Sequence, residues 1–158
     1  MSAPWKTGLC FGLTSGIITT LGLMVGLQSG TNSTLAVAGG VVTIAIADAF
    51  SDALGIHISK ESENHHTQKE IWEATLSTFL SKFLFALTFL IPLLIFDLLT
   101  AIIVSVIYGL SLLAILSYII SIDRKETSGK VITEHLLIAV VVIIITHFVG
   151  DWVSVLFV

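Results

Sequence analysis

Hydrophobic positions in this chain fall into five long blocks, and polar residues gather mostly between them. The blocks cover about 7–28, 35–58, 74–96, 99–121 and 134–157. Each is long enough to cross a bilayer as a helix, which takes about 20 apolar residues. The pattern predicts an all-α polytopic membrane protein with five transmembrane helices in a single domain over residues 1–158. The longest polar connection, at about 59–73, separates the second and third blocks. No glycine or proline occurs from Ile56 to Ile91, so both helices are expected to run past the bilayer as stems.

Basic residues give the orientation. Lys6 precedes the first block, Lys60 and Lys69 follow the second, and Arg124, Lys125 and Lys130 follow the fourth. With five spans these regions share one side, which the positive-inside rule makes cytoplasmic. The N-terminus is therefore expected inside and the C-terminus outside. The seventh basic residue, Lys82, lies within the third block.

Composition narrows the class further. Of 158 residues, 55% are hydrophobic and 11% charged, with mean hydropathy +1.02. No water-soluble domain of this size needs so much apolar surface. The single cysteine, Cys10, gives neither an internal disulfide nor a zinc-type cluster. The long first block reads as a permanent span rather than a cleaved leader. No phosphate-binding glycine loop, hydrolase triad or basic patch is present, so neither an enzyme nor a nucleic-acid partner is expected, and no cofactor beyond a transported ion. The minimal loops point to a prokaryotic plasma membrane.

Two pairs of ionisable residues at i, i+4 spacing interrupt the apolar blocks. Asp48 and Asp52 are four apart in the second block, and His147 and Asp151 are four apart in the fifth. Such groups cost roughly 2.5 kcal/mol or more each in a bilayer and usually pair, face a cavity or mark a substrate path. The i, i+4 spacing sets two side chains on one helix face. Asp48 and Asp52 can thus share a cation, and exchange it for protons, because adjacent carboxylates in low dielectric do not readily both ionise without one. His147 and Asp151 add a nitrogen and an oxygen donor, with Asp151 either the outer rung of a ladder or merely interfacial. Ser15, Thr19 and Met24 are further candidate donors. The mixed set suits Fe²⁺, Mn²⁺ or Co²⁺. Lys82 either pairs with Asp52 or Asp48 or snorkels toward the cytoplasm. One lysine cannot neutralise three aspartates, which favours a path holding a cation or protons over a purely structural pairing.

Two further features have open readings. Glu61, Glu63, Glu70 and Glu73, with His57, His65 and His66, form either a solvated connection or a weak capture site for divalent metal. Gly8, Gly12 and Gly16, then Gly22, Gly26 and Gly30, give the first helix a smooth face with one shift of phase. That face serves either packing within the chain or a homodimer seam.

The first block, GLTSGIITTLGLMVG, is similar to the Gly-x-x-Asp-Gly-x-x-Thr-x-x-Gly-x-x-x-Gly pattern of the vacuolar iron transporter family. The second, IAIADAFSDALGIHISKESE, looks like that family's Ala-x-Ala-x-Ser-Met-Ala-x-Gly-Glu-x-x-Ser helix. Pro92-Leu93-Leu94 and the run His147 to Gly150 match the ends of its third and fifth helices. The resemblance implies export of Fe²⁺ or Mn²⁺ from the cytosol, proton antiport, and a homodimer with the pathway at its interface. The chain departs from the family at functional positions. Ser15 stands where the family has a metal-binding aspartate, Asp52 where it has a methionine ligand, and Ile56 where it has a glutamate. The cytoplasmic helical domain is reduced to about 15 residues. The expectation is a divalent transition-metal transporter using a relocated site. A path for another cation and a non-transporting membrane scaffold are the alternatives.

Overall fold

A computed structural model of the chain describes residues 2–124 and 127–157, with the side chains of Asp123 and Arg124 excluded. Lys125 thus lies outside the described residues. Among the described residues six helices follow one another: α1 (Ala3–Thr31), α2 (Thr34–Ser62), α3 (Gln68–Thr88), α4 (Leu90–Ile95), α5 (Leu98–Arg124) and α6 (Ser128–Phe157). Five segments among the described residues are long and apolar enough to cross a membrane: α1, α2, the run Gln68–Ile95, Leu98–Ile122 and α6. The all-α architecture with five long apolar helices is as the hydropathy pattern predicts. The helices overrun the apolar blocks, and α2 and α3 continue as stems until only residues 63–67 separate them.

Local chemistry places the helix ends. Asn32 takes the left-handed conformation (φ 47°) after α1, and Ser33 Oγ accepts from the Ala36 amide to start α2. Thr67 and Glu70 form a capping box at the start of α3. The Thr100 amide donates to Asp97 Oδ2 at 3.1 Å, which holds the Asp97 carboxyl below its usual value and opens α5.

The third span is broken rather than continuous, and it ends at Ile95, close to the expected 96. Pro92 has no amide to donate to the Thr88 carbonyl, and its ring crowds that carbonyl. The break falls at Phe89, whose amide bonds back to the Ala86 carbonyl at 3.2 Å. Phe89 is fully buried against the Tyr108 ring, and the Tyr108 hydroxyl donates to Thr88 Oγ1 at 3.1 Å.

α1 is the central helix and touches α2, α3, α5 and α6. The apolar core collects Ile17, Leu21, Met24 and Val25 of α1 with Val37 and Val41 of α2, Phe89, and Leu113 of α5. The outward faces stay apolar, as with Ile46, Phe50 and Leu54 of α2 and Ile144, Phe148 and Val149 of α6. In a bilayer these faces meet acyl chains.

The phase shift in the α1 glycines marks a change of partner. A Cβ at Gly12 stands 2.5 Å from the Thr78 carbonyl oxygen of α3, and a Cβ at Gly16 stands 3.3 Å from Lys82 Cγ. A Cβ at Gly22 instead stands 3.1 Å from Val142 Cγ1 of α6, and one at Gly26 stands 3.2 Å from the Thr146 carbonyl. The first run seats α3 and the second seats α6. The glycine face is therefore used within the chain and is not a free homodimer seam.

Candidate functional site

The buried ammonium of Lys82 organises the polar centre of the bundle. Lys82 is 1% exposed, and its Nζ lies 2.5 Å from both Asp48 Oδ2 and Asp52 Oδ2. Ser15 Oγ of α1 accepts a third contact at 2.8 Å. An ammonium has three hydrogens, and here three oxygens face it. Gly16 leaves room for the lysine stem against α1, and Ala45, Ala49 and Ala53 keep the buried side of α2 small. Asp48 and Asp52 thus share one neighbour because they sit one turn apart.

The two carboxylates are not equivalent. Asp52 accepts a hydrogen bond from Nζ. Asp48 Oδ2 meets Nζ outside hydrogen-bond geometry and has no donor among the described residues. Asp48 also lines an open groove of about 590 Å³ between α1 and α2 with Thr19, Thr43, Ala47 and Ser51. Thr19 donates to the Ser15 carbonyl at 2.8 Å. One positive charge faces two acidic groups, and hydroxyls line the approach to them.

His147 and Asp151 form a separate cluster. His147 Nε2 lies 3.6 Å from Asp151 Oδ2, and both side chains are about half exposed. Ser29 Oγ lies 2.6 Å from Asp151 Oδ1 and 2.6 Å from the His147 carbonyl. Ser15 serves one cluster and Ser29 the other, fourteen residues on along α1, or about 21 Å at 1.5 Å per residue. His147 and Asp151 therefore do not share one cluster with Asp48 and Asp52. α6 seats on the second glycine run, beyond the level of Lys82. The side chain of Met24 is fully buried in the apolar core.

At the α2–α3 turn only part of the acidic and histidine set converges. Glu63, His65 and His66 bring one ligand atom each to within 4.8 Å of one another. Glu70 is committed to the capping box, and Glu73 to Ser2 and Lys69. Glu61 is exposed outside the group. His57 Nδ1 lies 3.0 Å from Thr75 Oγ1, and its ring meets Trp72 edge-on. A hydrogen bond with His66 is the main reason the Glu63 carboxyl is held below its usual value.

One polar pair had little signature in the sequence. Ser117 is buried and donates to the Leu113 carbonyl, so its oxygen accepts from His135 Nδ1 at 2.7 Å, tying α5 to α6. Intramembrane serine and histidine on separate spans hint at such bonds without fixing the pairing.

Comparison of the chain with family models and with curated proteins finds no match.

Proposed function

We propose that this is a multi-pass membrane transporter that moves a small divalent cation through the Asp48–Asp52 site in exchange for protons. The observation that carries this reading is the charge balance at Lys82. Two carboxylates against one ammonium leave one negative charge in a largely buried site that opens to a groove at Asp48. Exchange of that ion for protons belongs to the same proposal, with Asp48 and Asp52 as the carriers.

The donors that converge are all oxygens: Asp48, Asp52, Ser15 and, along the groove, Thr19 and Ser51. Oxygen sets suit Mn²⁺ and other hard divalent ions better than softer ones. Mn²⁺ is therefore favoured over Fe²⁺. The resemblance to vacuolar iron transporters supports the same substrate class, with movement outward from the cytoplasm of a prokaryotic cell. A homodimer belongs to this reading, with its seam on α2 rather than α1. Gly39, Thr43, Ala47, Ser51 and Gly55 are all exposed at four-residue spacing, and Gly39 and Gly55 have nothing within 4 Å. A second reading, a membrane scaffold pinned by an ion triad, draws support from the full set of three contacts around Lys82.

Equilibrium binding separates the two. Mn²⁺ is expected to raise the melting temperature of the detergent-solubilised protein with a saturating dose dependence. The rise should vanish in Asp48→Asn and Asp52→Asn and persist in His147→Ala. A His65→Ala/His66→Ala background removes competing metal binding at the turn. A full Mn²⁺ shift in folded Asp52→Asn would sink the assignment.

A further inference from the structure

We propose that Glu63, His65 and His66 form a second, independent binding site for a divalent transition-metal ion, with the Lys60 ammonium as its resident competitor. The proposal does not rest on the transport reading. Glu63 caps the end of α2, and Asn64 follows it in the left-handed conformation (φ 55°). That reversal turns the two histidines back onto the Glu63 carboxylate. Glu63 Oε2 lies 3.5 Å from His65 Nε2 and 2.7 Å from His66 Nε2. Ligand atoms about 2.0–2.1 Å from a tetrahedral ion are about 3.4 Å apart, so the first spacing already fits and the second needs a small opening.

The tautomer of His65 is set for ligation. Its Nδ1 lies 2.8 Å from the Glu63 carbonyl, which can only accept a hydrogen bond, so Nδ1 carries the hydrogen. Nε2, on the Glu63 carboxylate side, is left with its lone pair. A metal-bound histidine commonly has this outer hydrogen bond to a carbonyl. Two imidazole nitrogens and one carboxylate oxygen form a borderline set suited to Zn²⁺, Co²⁺ or Ni²⁺, with water completing the shell. This differs from the all-oxygen set at Asp48 and Asp52.

Lys60 supplies the positive charge the cluster now holds. Its Nζ lies 3.2 Å from His66 Nε2 and 3.6 Å from Glu63 Oε2. An ion bound by these two atoms takes over that position, and the flexible lysine stem lets the ammonium swing into solvent. Glu63 follows Asp52 by eleven residues, three helical turns or about 16 Å along the same side of α2.

Co²⁺ is the probe, because its ligand-field absorption reports nitrogen and oxygen ligation directly. The full-length, tag-free protein in detergent is titrated with Co²⁺ alone. One ion per chain is expected to give such a band. His65→Ala/His66→Ala should lose the band and weaken binding at least tenfold. Lys60→Met should tighten binding several-fold, and Asp52→Asn should leave the band unchanged, which separates this site from the one in the bundle. Unchanged Co²⁺ binding in the double histidine variant, or a band lost in Asp52→Asn instead, overturns the site. Equal affinity in wild type and Lys60→Met overturns the role of Lys60. His65 and His66 lie in the turn between α2 and α3 and Lys60 in the last turn of α2, all outside the apolar core, so these variants leave the packing of the bundle untouched.

Discussion

Lys82→Met is expected to destabilise the protein by about 3–5 kcal/mol, the usual cost of removing one partner from a buried ion pair. Methionine fills much of the space of the lysine stem beside Gly16, so the loss is mainly electrostatic. Asp48 and Asp52 are left one turn apart with no counter-charge, and Ser15 loses its partner. The prediction has a built-in control. Adding Asp48→Asn and Asp52→Asn to Lys82→Met should recover most of the stability, because the uncompensated charge disappears with the acids. Reversible unfolding in mixed micelles gives the coupling energy directly. A loss under about 1 kcal/mol in Lys82→Met would mean that the ammonium is not the principal counter-charge.

The second large effect is expected at Gly12. Replacing it with valine puts a Cβ 2.5 Å from the Thr78 carbonyl oxygen and 3.2 Å from the Lys82 amide nitrogen. Both are backbone atoms of α3, so no side chain can swing aside, and the helices have to separate. Overpacking of a tight core costs typically about 1–3 kcal/mol, with backbone collisions at the upper end. Separation also moves Ser15 away from Lys82, so Gly12→Val should lose Mn²⁺ binding along with stability. Gly39→Val on α2, where a Cβ meets nothing within 4 Å, is the contrast. It should leave the fold of the monomer intact. Equal melting temperatures for wild type and Gly12→Val would contradict the α1–α3 packing.

The helical architecture was legible because lipid-facing helices need long apolar runs, and the chain has five of them. Spacing also carried Asp48 and Asp52 correctly, since i, i+4 places two groups on one face whatever the surroundings. Pairing of Lys82 with Asp52 or Asp48 was one expectation, and Lys82 meets both. What spacing could not convey was azimuth. His147 and Asp151 have the same local pattern, yet Asp151 meets Ser29 while Asp48 and Asp52 share Lys82 with Ser15, because α6 seats on the second glycine run. Met24 has a donor atom, but it sits on the core side of α1, a fact decided by tertiary packing. The glycine shift between Gly16 and Gly22 was visible in the chain, and its meaning needed the identity of both neighbours. The break at Phe89 follows from Pro92, four residues from the carbonyl it leaves without a donor, whereas the hydropathy pattern showed one continuous block over 74–96.

The central claim is that a cation crosses the bundle at Asp48 and Asp52 against protons. The direct measurement is Mn²⁺ flux into proteoliposomes under an imposed pH gradient, with proton movement followed in the same vesicles. Proton movement coupled to Mn²⁺ flux is expected, with loss of both movements in Asp52→Asn and His147→Ala active. No Mn²⁺ flux from folded, correctly inserted protein, or flux undiminished in Asp52→Asn, would contradict the account.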